Sequence, residues 1–396
     1  MERSAKLAAA RSGRPVPAWV PRRIARRAAG GQNPGGAGTG IAESGHRRNA
    51  AGTAIGEGKR VLKVVITGGT GFLGQCLGRA LLQRGKLTGP GGTPQAIDEI
   101  LLFDVAAPAQ RPAWADDRVT IRDGDISDPL LVRGLIDRDD IAVFHLASVV
   151  SGGGEKDFDL AMRVNLTGGL NVFEALRARA QAGGGLPRLV FASSLAVFGA
   201  ADSAEKVGDF AKQAPRTTYG ATKAICELLI NDYSRKGFFD GRSARLPTVI
   251  IRPGKPNAAA SSFVSGLFRE PLNGETCTIP VHEDTVMPLL GYRAIVEGFI
   301  RLYELDAEAL GHDRAVSLPC FNATVRELIA ALHRVVDSGA AGDRKLGDIV
   351  FEPDPFIQRI CDGWPQDVVF ARAEQLGLPK DASLDAIVEN YIEDFL

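Results

Sequence analysis

A strand pattern, a glycine-rich turn and a helix pattern follow one another between residues 62 and 85. The run LKVVIT (62–67) is mostly apolar, as is typical of a buried parallel strand. The turn TGGTGFLG then places Gly68, Gly71 and Gly74 in a G-x-x-G-x-x-G pattern at the start of the helix. Such glycines permit a tight turn and let a pyrophosphate approach the helix N-terminus. An ordinary glycine-rich connection is the alternative, but this context favours a dinucleotide site.

Strand and helix patterns alternate from this turn to about residue 254. The alternation predicts an α/β fold with a doubly wound parallel sheet of the Rossmann type over 61–254. The pattern is more broken from Lys255, so we expect 255–396 to be mainly a smaller C-terminal substrate-binding lobe. Residues 85–95 are rich in Gly and Pro and are predicted to be a loop. The predicted strands after the first are 99–105, 119–126, 141–148, 187–194 and 248–254, and the predicted helices are 127–136, 162–179, 219–235, 325–336 and 384–391.

The formal net charge of zero hides a basic N-terminal segment, whose charge is balanced by an acidic excess in the rest of the chain. Residues 1–60 contain twelve Lys or Arg and three acidic residues, and they lack hydrophobic periodicity. We therefore expect 1–60 to be a disordered basic extension. A nucleic-acid arm is the less favoured interpretation because no folded basic module accompanies it. An organellar targeting peptide is a second alternative, and an extension without a catalytic role is favoured.

Cysteine usage and hydropathy limit the compartment. The five Cys are scattered, with no C-x-x-C, which argues against a zinc ribbon or a disulfide framework and suits the reducing cytoplasm. No apolar run approaches the roughly 18 residues of a membrane span. The cluster His282, Glu283 and Asp284 lacks metal-ligand spacing, so we expect no metal site. The sequence thus predicts a cytoplasmic protein that binds a small molecule, with neither nucleic acid nor membrane as partner.

The segment YGATK carries a Tyr and a Lys four residues apart on a predicted helix. Tyr219 and Lys223 then project from the same face, and the ammonium is expected to lower the phenol pKa. A Tyr tuned in this way can exchange a proton with a substrate hydroxyl near neutral pH. The pattern is weak alone, because two fixed positions in five arise often by chance.

Side chains at the ends of the predicted strands are candidates for holding the cofactor. Asp104 ends the second strand, where an acid can bind ribose hydroxyls and repel a 2′-phosphate, so we favour NAD over NADP. A solvent-exposed loop acid is the alternative. Asp125 and Ile126 end the third strand, and Ala147 and Ser148 end the fourth. His145 lies inside that apolar fourth strand and is predicted to be a packed core histidine.

Six motifs follow one another in the same order as in a known protein family. They are TGGTGFLG, GDI, VFHLAS, VNLTGGLN, FASSLAVFG and YGATK. Together they resemble the extended short-chain dehydrogenases/reductases, in the NAD-dependent epimerase/dehydratase branch. The resemblance implies catalysis by Ser194, Tyr219 and Lys223, with Ser194 at the end of the fifth strand. Phe198 stands where many relatives carry Tyr. The resemblance also implies NAD binding by Gly68, Gly71, Phe72, Leu73, Gly74, Asp104, Asp125, Ile126, Ala147, Ser148, Asn165, Tyr219 and Lys223. A homodimer through the helices of Asn165 and Tyr219 is common in the family, although the apolar pattern does not indicate it.

Three segments, 147–160, 245–274 and 352–365, are similar to the D-erythronate dehydrogenase family within that branch. This similarity implies oxidation of the C2 hydroxyl of D-erythronate to 2-dehydro-D-erythronate (2-oxo-tetronate) in sugar acid catabolism. A sugar acid needs a cation for its carboxylate and polar groups for its hydroxyls. For Lys255 and Arg269 the alternative is a solvated position on the surface. For Asn257, Ser261 and Ser262 the alternative is a role in forming a turn. The candidates for substrate binding are Ser151, Ser194, Lys255, Asn257, Ser261, Ser262 and Arg269.

Other functions are compatible with the same fold. A nucleotide-sugar epimerase needs a pocket for the nucleotide, and a non-catalytic NAD-sensing regulator commonly loses the Tyr or the Lys. A dehydratase typically has an acid pair after the Ser, where this chain has Leu195 and Ala196. The retained Tyr219 and Lys223 favour catalysis.

Overall fold

The computed structural model describes residues 61–89, 92–199, 206–256 and 259–396. All of them belong to one unit, Glu57–Leu396. The predictions for 1–60 and for Asn257 lie outside the described residues.

The described residues form strands and helices in alternation along most of their length. The strands are β1 (Val61–Thr67), β2 (Lys86–Thr88), β3 (Pro94–Asp104), β4 (Val119–Asp123), β5 (Ile141–His145), β6 (Arg188–Ser194), β7 (Asp240–Leu246), β8 (Thr248–Ile250), β9 (Cys277–Ile279), β10 (Val286–Gly291), β11 (Ala315–Ser317), β12 (Phe321–Thr324) and β13 (Ile349–Phe351). The helices are α1 (Phe72–Arg84), α2 (Pro129–Leu135), α3 (Ser151–Lys156), α4 (Phe158–Ala161), α5 (Gly168–Gln181), α6 (Thr218–Arg235), α7 (Ser262–Leu272), α8 (Tyr292–Glu304), α9 (Ala307–Leu310), α10 (Val325–Asp337), α11 (Pro355–Asp362), α12 (Ala371–Gln375) and α13 (Leu384–Phe395). A π-helical turn (Met162–Thr167) precedes α5, and a 3-10 turn (Leu195–Val197) follows β6.

The main sheet confirms the predicted Rossmann-type class. Within the described residues its strand order is β11-β7-β6-β5-β1-β3-β2, and β4 pairs with the far half of β3. Every pairing is parallel except that of β2 with β3. β1 lies in the middle of the sheet. From β1 the chain forms β3 and β4 on one side of it and then crosses to form β5 on the other side. The carboxyl ends of β1 and β5 are therefore the switch point, where such sheets bind ligands.

Two apolar layers cover this sheet. On one face Val64 and Ile66 of β1 pack in one cluster with Leu77 and Leu81 of α1 and with Phe299 of α8. On the other face, the alternate residues of β1 and β5 join a cluster that includes α2 and α5. The alternation along β1 follows the two-residue period of a strand that is buried on both sides.

The prediction that residues 248–254 form the sixth strand of the main sheet is wrong. The sixth parallel strand is β7, whereas β8 pairs with β10 in a separate three-stranded sheet. β7 has the sequence DGRSARL, and its polar residues are buried. Buried Arg242 forms an ion pair with Asp240, and Arg245 forms one with Glu227 of α6 at 2.8 Å. Charge pairing replaces hydrophobicity in this strand, so an apolar pattern could not identify it.

The predicted loop at 85–95 is also partly wrong. β2 pairs antiparallel with the start of β3, with Lys86 opposite Ala96 and Thr88 opposite Pro94. Leu87 is fully buried beneath α8 in the main core. This apolar anchor, the pairing with β3 and a hydrogen bond from the Thr88 amide to Glu304 of α8 (2.9 Å) together hold a short edge strand in a segment rich in Gly and Pro.

The chain beyond residue 255 contributes to both parts of the molecule. Helices α10 and α13, predicted from their periodicity, pack with α7 in a second apolar cluster. The start of α10 has a capping box between Thr324 and Glu327. In contrast, β11 pairs with β7, and α8 packs on the main sheet. The lobe boundary at 254/255 remains a prediction.

Candidate functional site

The glycine-rich turn joins β1 to α1 at the switch point. Gly68 has a φ of +70°, and a Cβ there would lie 2.8 Å from the backbone nitrogen of Ala147. A Cβ on Gly74 would lie 2.3 Å from the oxygen of Gly68. No side chain caps the amides at the start of α1 after Gly71. The turn is therefore a tight cradle with open N–H groups, which fits the pyrophosphate of a dinucleotide.

A cleft of about 1570 Å³ extends from this turn along the carboxyl ends of the strands. Asp104 lies on its wall, where its carboxylate accepts hydrogen bonds from the amides of Thr70 (3.2 Å) and Val105 (2.8 Å). These bonds hold the turn against the end of β3. The cleft brings together most of the predicted cofactor residues: Gly68, Gly71, Phe72, Leu73, Gly74, Asp104, Asp125, Ile126, Ala147, Ser148, Tyr219 and Lys223.

Asp125 occupies the end of the cleft beyond β4. Its carboxylate accepts from the amide and hydroxyl of Ser127 and forms an ion pair with Arg163. The hydrogen bonds from Ser127 lower the pKa of Asp125, and the bond from the Ser127 amide has the largest effect. Arg163 also lines the cleft but was not among the predicted residues.

Asn165 lies in the π-helical turn and is buried, and it is absent from the lining of the cleft. Its side-chain oxygen accepts from the Val149 amide (2.7 Å) and the Ser148 hydroxyl (3.1 Å). Its amide group donates to the Val149 oxygen (3.0 Å) and to Thr222 on α6 (3.3 Å). Asn165 thus fastens the segment after β5 to the helix that carries Tyr219 and Lys223.

Ser194 and Tyr219 meet where the cleft opens into a second pocket. Ser194 ends β6, and its oxygen accepts from the Ala196 amide at 3.1 Å. Burial raises the pKa of Tyr219, and the neighbouring Ser194 hydroxyl opposes this rise. The expected lowering of the Tyr219 pKa is therefore wrong for the protein alone, because burial of the phenol dominates.

Lys223 lies one helical turn below Tyr219 on α6 and is buried. Its ammonium donates to the Ala192 oxygen at 2.7 Å and lies 5.4 Å from the centre of the Tyr219 ring. Burial is the largest cause that lowers the pKa of Lys223 to about 8. The sequence correctly places both side chains on one helix face, next to the cleft.

His145 is a core residue, as predicted. It is 1% exposed, and its Nδ1 lies 2.6 Å from the Thr67 hydroxyl. Burial, and secondly the charge of Lys223, lower the pKa of His145 to about 3. The imidazole is therefore neutral at physiological pH.

The second pocket, of about 1000 Å³, shares Tyr219 with the cleft. Its described lining carries three cationic side chains and no carboxylate, together with several hydroxyl groups. This composition suits an anion that bears hydroxyls. The pocket brings together all the predicted substrate residues that the structure describes: Ser151, Ser194, Lys255, Ser261, Ser262 and Arg269.

The three cations of the second pocket differ in their surroundings. Arg269 is buried, forms an ion pair with Glu270 and donates to the backbone oxygen of Arg252. Lys255 is exposed. Arg252 was missed by the sequence prediction. The only sequence feature that could have indicated Arg252 is its position directly after the apolar run TVII (248–251), within the family-like segment 245–274.

The described residues contain no group of three or more His, Cys, Asp or Glu side chains that could hold a metal ion. In the cluster considered from the sequence, Glu283 and Asp284 each form an ion pair with Arg326 at 2.8 Å. The same described parts of the chain include no helix long and apolar enough to cross a membrane.

Comparisons with known proteins show which proteins this chain resembles. The model of the NAD dependent epimerase/dehydratase family matches residues 64–314. A D-erythronate dehydrogenase of Cupriavidus necator is 46% identical over 333 residues, which is 84% of this chain and 98% of that protein. A D-erythronate dehydrogenase of Haemophilus influenzae is 39% identical over 84% of this chain and 99% of its own length. A crystal structure of a nucleoside-diphosphate-sugar epimerase from Agrobacterium tumefaciens has a TM-score of 0.77 and 39% identity, covering 89% of this chain and 98% of that one.

Proposed function

Because the chain belongs to the NAD dependent epimerase/dehydratase family and is an NAD-dependent dehydrogenase acting on CH–OH, we propose that its substrate is D-erythronate. The C2 hydroxyl is oxidised to the ketone of 2-dehydro-D-erythronate (2-oxo-tetronate). The observation that carries this proposal is the second pocket, cationic and rich in hydroxyls, which opens onto Ser194 and Tyr219. The names of the two relatives support the choice of a four-carbon sugar acid.

The cradle and cleft would hold the cofactor. The open amides at the start of α1 would bind the pyrophosphate, and Asp104 would accept hydrogen bonds from the adenosine ribose. A carboxylate at that position repels a 2′-phosphate. NAD supplies the acceptor for the hydride that leaves C2.

Tyr219 is the general base in this proposal. Its phenolate takes the C2 hydroxyl proton, so the C2–O bond becomes a carbonyl as the C2–H bond breaks. Ser194, which lines the second pocket together with Tyr219, donates its single hydroxyl proton to the substrate oxygen and fixes its position. Since burial raises the pKa of Tyr219, the phenolate depends on positive charge nearby.

Lys223 supplies that positive charge from the protein side. Its ammonium is held by the Ala192 oxygen and lies beside the Tyr219 ring. There it favours the phenolate and remains able to bond the nicotinamide ribose. Asn165 acts indirectly, by fixing the segment at Ser148 and Val149 against α6.

A nucleotide-sugar epimerase is the second candidate function. The observation in its favour is the structural likeness to the Agrobacterium tumefaciens protein, whose description names that activity. Both candidates use the same Ser, Tyr and Lys, so the distinction rests on the substrate. The two D-erythronate dehydrogenases, each similar over at least 98% of its own length, favour the dehydrogenase.

Tyr219→Phe tests the assigned base. The change removes the phenolic oxygen, so kcat for D-erythronate should fall on the order of 10³-fold while NADH affinity stays unchanged. Steady-state kinetics and a fluorescence titration with NADH measure the two quantities.

Tyr233→Phe is a matched control on the same helix. It removes a hydroxyl that bonds Glu174 outside the site, and its activity should match the wild type. Turnover of Tyr219→Phe near that of the control would contradict the proposed mechanism.

A further inference from the structure

Arg252 lies where the cofactor cleft and the second pocket meet, and it lines both. Tyr219 is likewise part of both walls. The Arg252 guanidinium carbon lies 5.8 Å from the ring centre of Phe72, at the start of α1. This places a cation beside the region in which substrate and cofactor must meet.

Two hydrogen bonds from α7 hold the backbone of Arg252. Its amide donates to the Ser265 hydroxyl at 3.1 Å, and its oxygen accepts from Arg269 at 2.9 Å. Ser265 and Arg269 are both buried. The helix therefore fixes the position of Arg252 while its side chain extends to the wall of the two cavities.

The guanidinium of Arg252 has no hydrogen-bond or ion-pair partner among the described residues. It is half-buried, and burial, with Arg269 as the second cause, lowers the pKa of Arg252. A partly desolvated cation without a counter-ion is unfavourable. A bound anion would relieve this cost, and the described lining of the second pocket offers no carboxylate of its own.

The other two cations of this pocket fit an anion-binding role less well. The Arg269 side chain is engaged with Glu270 and with the Arg252 oxygen. Lys255 is exposed, so water solvates its ammonium and screens its attraction for a ligand. A guanidinium also matches a carboxylate with two parallel N–H groups, which an ammonium cannot do.

We propose that Arg252 binds the carboxylate of the sugar acid through a bidentate pair and so presents C2 to Tyr219. This inference rests on the proposed function and deepens it, because it assigns the group that selects 2-hydroxy acids over neutral polyols. A carboxylate held at C1 leaves the adjacent C2 hydroxyl as the group within reach of Ser194 and Tyr219.

Kinetics with a charged and a neutral substrate test the assignment. The charged substrate is D-erythronate, and the neutral one is D-erythronamide, which keeps every hydroxyl. Arg252→Gln should lower kcat/KM for the acid about 10- to 150-fold, the range for one charge-assisted hydrogen-bonded pair, with little change for the amide. Arg252→Lys should restore part of the loss.

Two further variants and one titration complete the test. Arg235→Gln, an exposed residue of α6 far along the helix from Tyr219, controls for the loss of one positive charge. Lys255→Gln examines the competing cation. NADH affinity should be unchanged in Arg252→Gln. An equal loss for acid and amide, a loss of NADH affinity, or a loss that appears in Lys255→Gln instead would overturn the inference.

Binding of oxamate separates this inference from the proposed function. Oxamate is an unreactive 2-oxo acid analogue, and its binding to the enzyme–NADH complex is followed by quenching of NADH fluorescence. A wild type that binds oxamate through Arg252 but does not oxidise D-erythronate would refute the proposed function and support the carboxylate site. Oxamate affinity that is equal in the wild type and Arg252→Gln, or absent from the wild type, would overturn the carboxylate site.

Discussion

Individual buried side chains define the chemistry of this site more than its shape does. Tyr219 and Lys223 are each drawn toward their neutral forms by burial, with their pKa values raised and lowered respectively. The sequence predicted their adjacency from a four-residue spacing, but burial depends on the packing of β6 and α6. The direction of the Tyr219 pKa shift was therefore beyond sequence reasoning.

His145 makes the pH dependence of stability testable. Its folded-state pKa is about 3, against about 6.5 when unfolded, so unfolding takes up a proton in the acidic range. The stability contributed by neutral His145 is complete above pH 6.5 and is lost as pH falls toward 3. Between pH 6 and pH 4 the free energy of unfolding should fall about 1 kcal/mol more per pH unit in the wild type than in His145→Gln.

Urea denaturation at several pH values measures both proteins. Other acidic groups titrate in each of them, so the difference between the two curves isolates His145. Parallel curves would show that His145 does not enter the core as a neutral residue.

Strand β7 shows where pattern reading stops working. The strands β1 and β6 are mainly apolar and were predicted closely, because burial on both faces demands hydrophobic residues. In β7 the buried residues are instead charged and paired. Arg242 forms an ion pair with Asp240 of the same strand, and Arg245 forms one with Glu227 of α6. Those partners cannot be assigned before the fold is known.

The ion pair of Glu227 with Arg245 should contribute to holding α6 against β7. Both side chains are buried, and Glu227 also accepts from Ser193, next to Ser194. Glu227→Gln leaves a buried guanidinium without its counter-charge and should lower the free energy of unfolding by about 3–5 kcal/mol. Urea denaturation at neutral pH measures the loss.

Asp232→Asn provides the control for that prediction. It removes a negative charge on the same helix, from an exposed pair with Arg235, and should change the free energy of unfolding by about 0.5 kcal/mol or less. Equal effects of the two substitutions would contradict a stabilising role for the buried pair.

The molecule as a whole combines a predictable cofactor half with a less predictable substrate half. The glycine turn, Asp104, Ser194, Tyr219 and Lys223 follow from short motifs. Strand ends fix the first three, and the four-residue spacing on α6 places Tyr219 and Lys223 on one helix face. The second pocket draws on β8 and α7 and also on the segment at Trp364, which lies far beyond them in the chain. Arg252 was missed for this reason, since its environment exists only after these elements have assembled.

The most direct test of the account is the initial rate of NADH formation by the full chain with NAD. D-Erythronate, L-threonate, D-threonate and a UDP-sugar are supplied separately, and epimerised product is analysed in the last case. The account predicts rapid, saturable NADH formation with D-erythronate and much slower rates with the other compounds. No NADH from any of the acids, with an epimerised UDP-sugar, would contradict it and assign the site to nucleotide-sugar epimerisation.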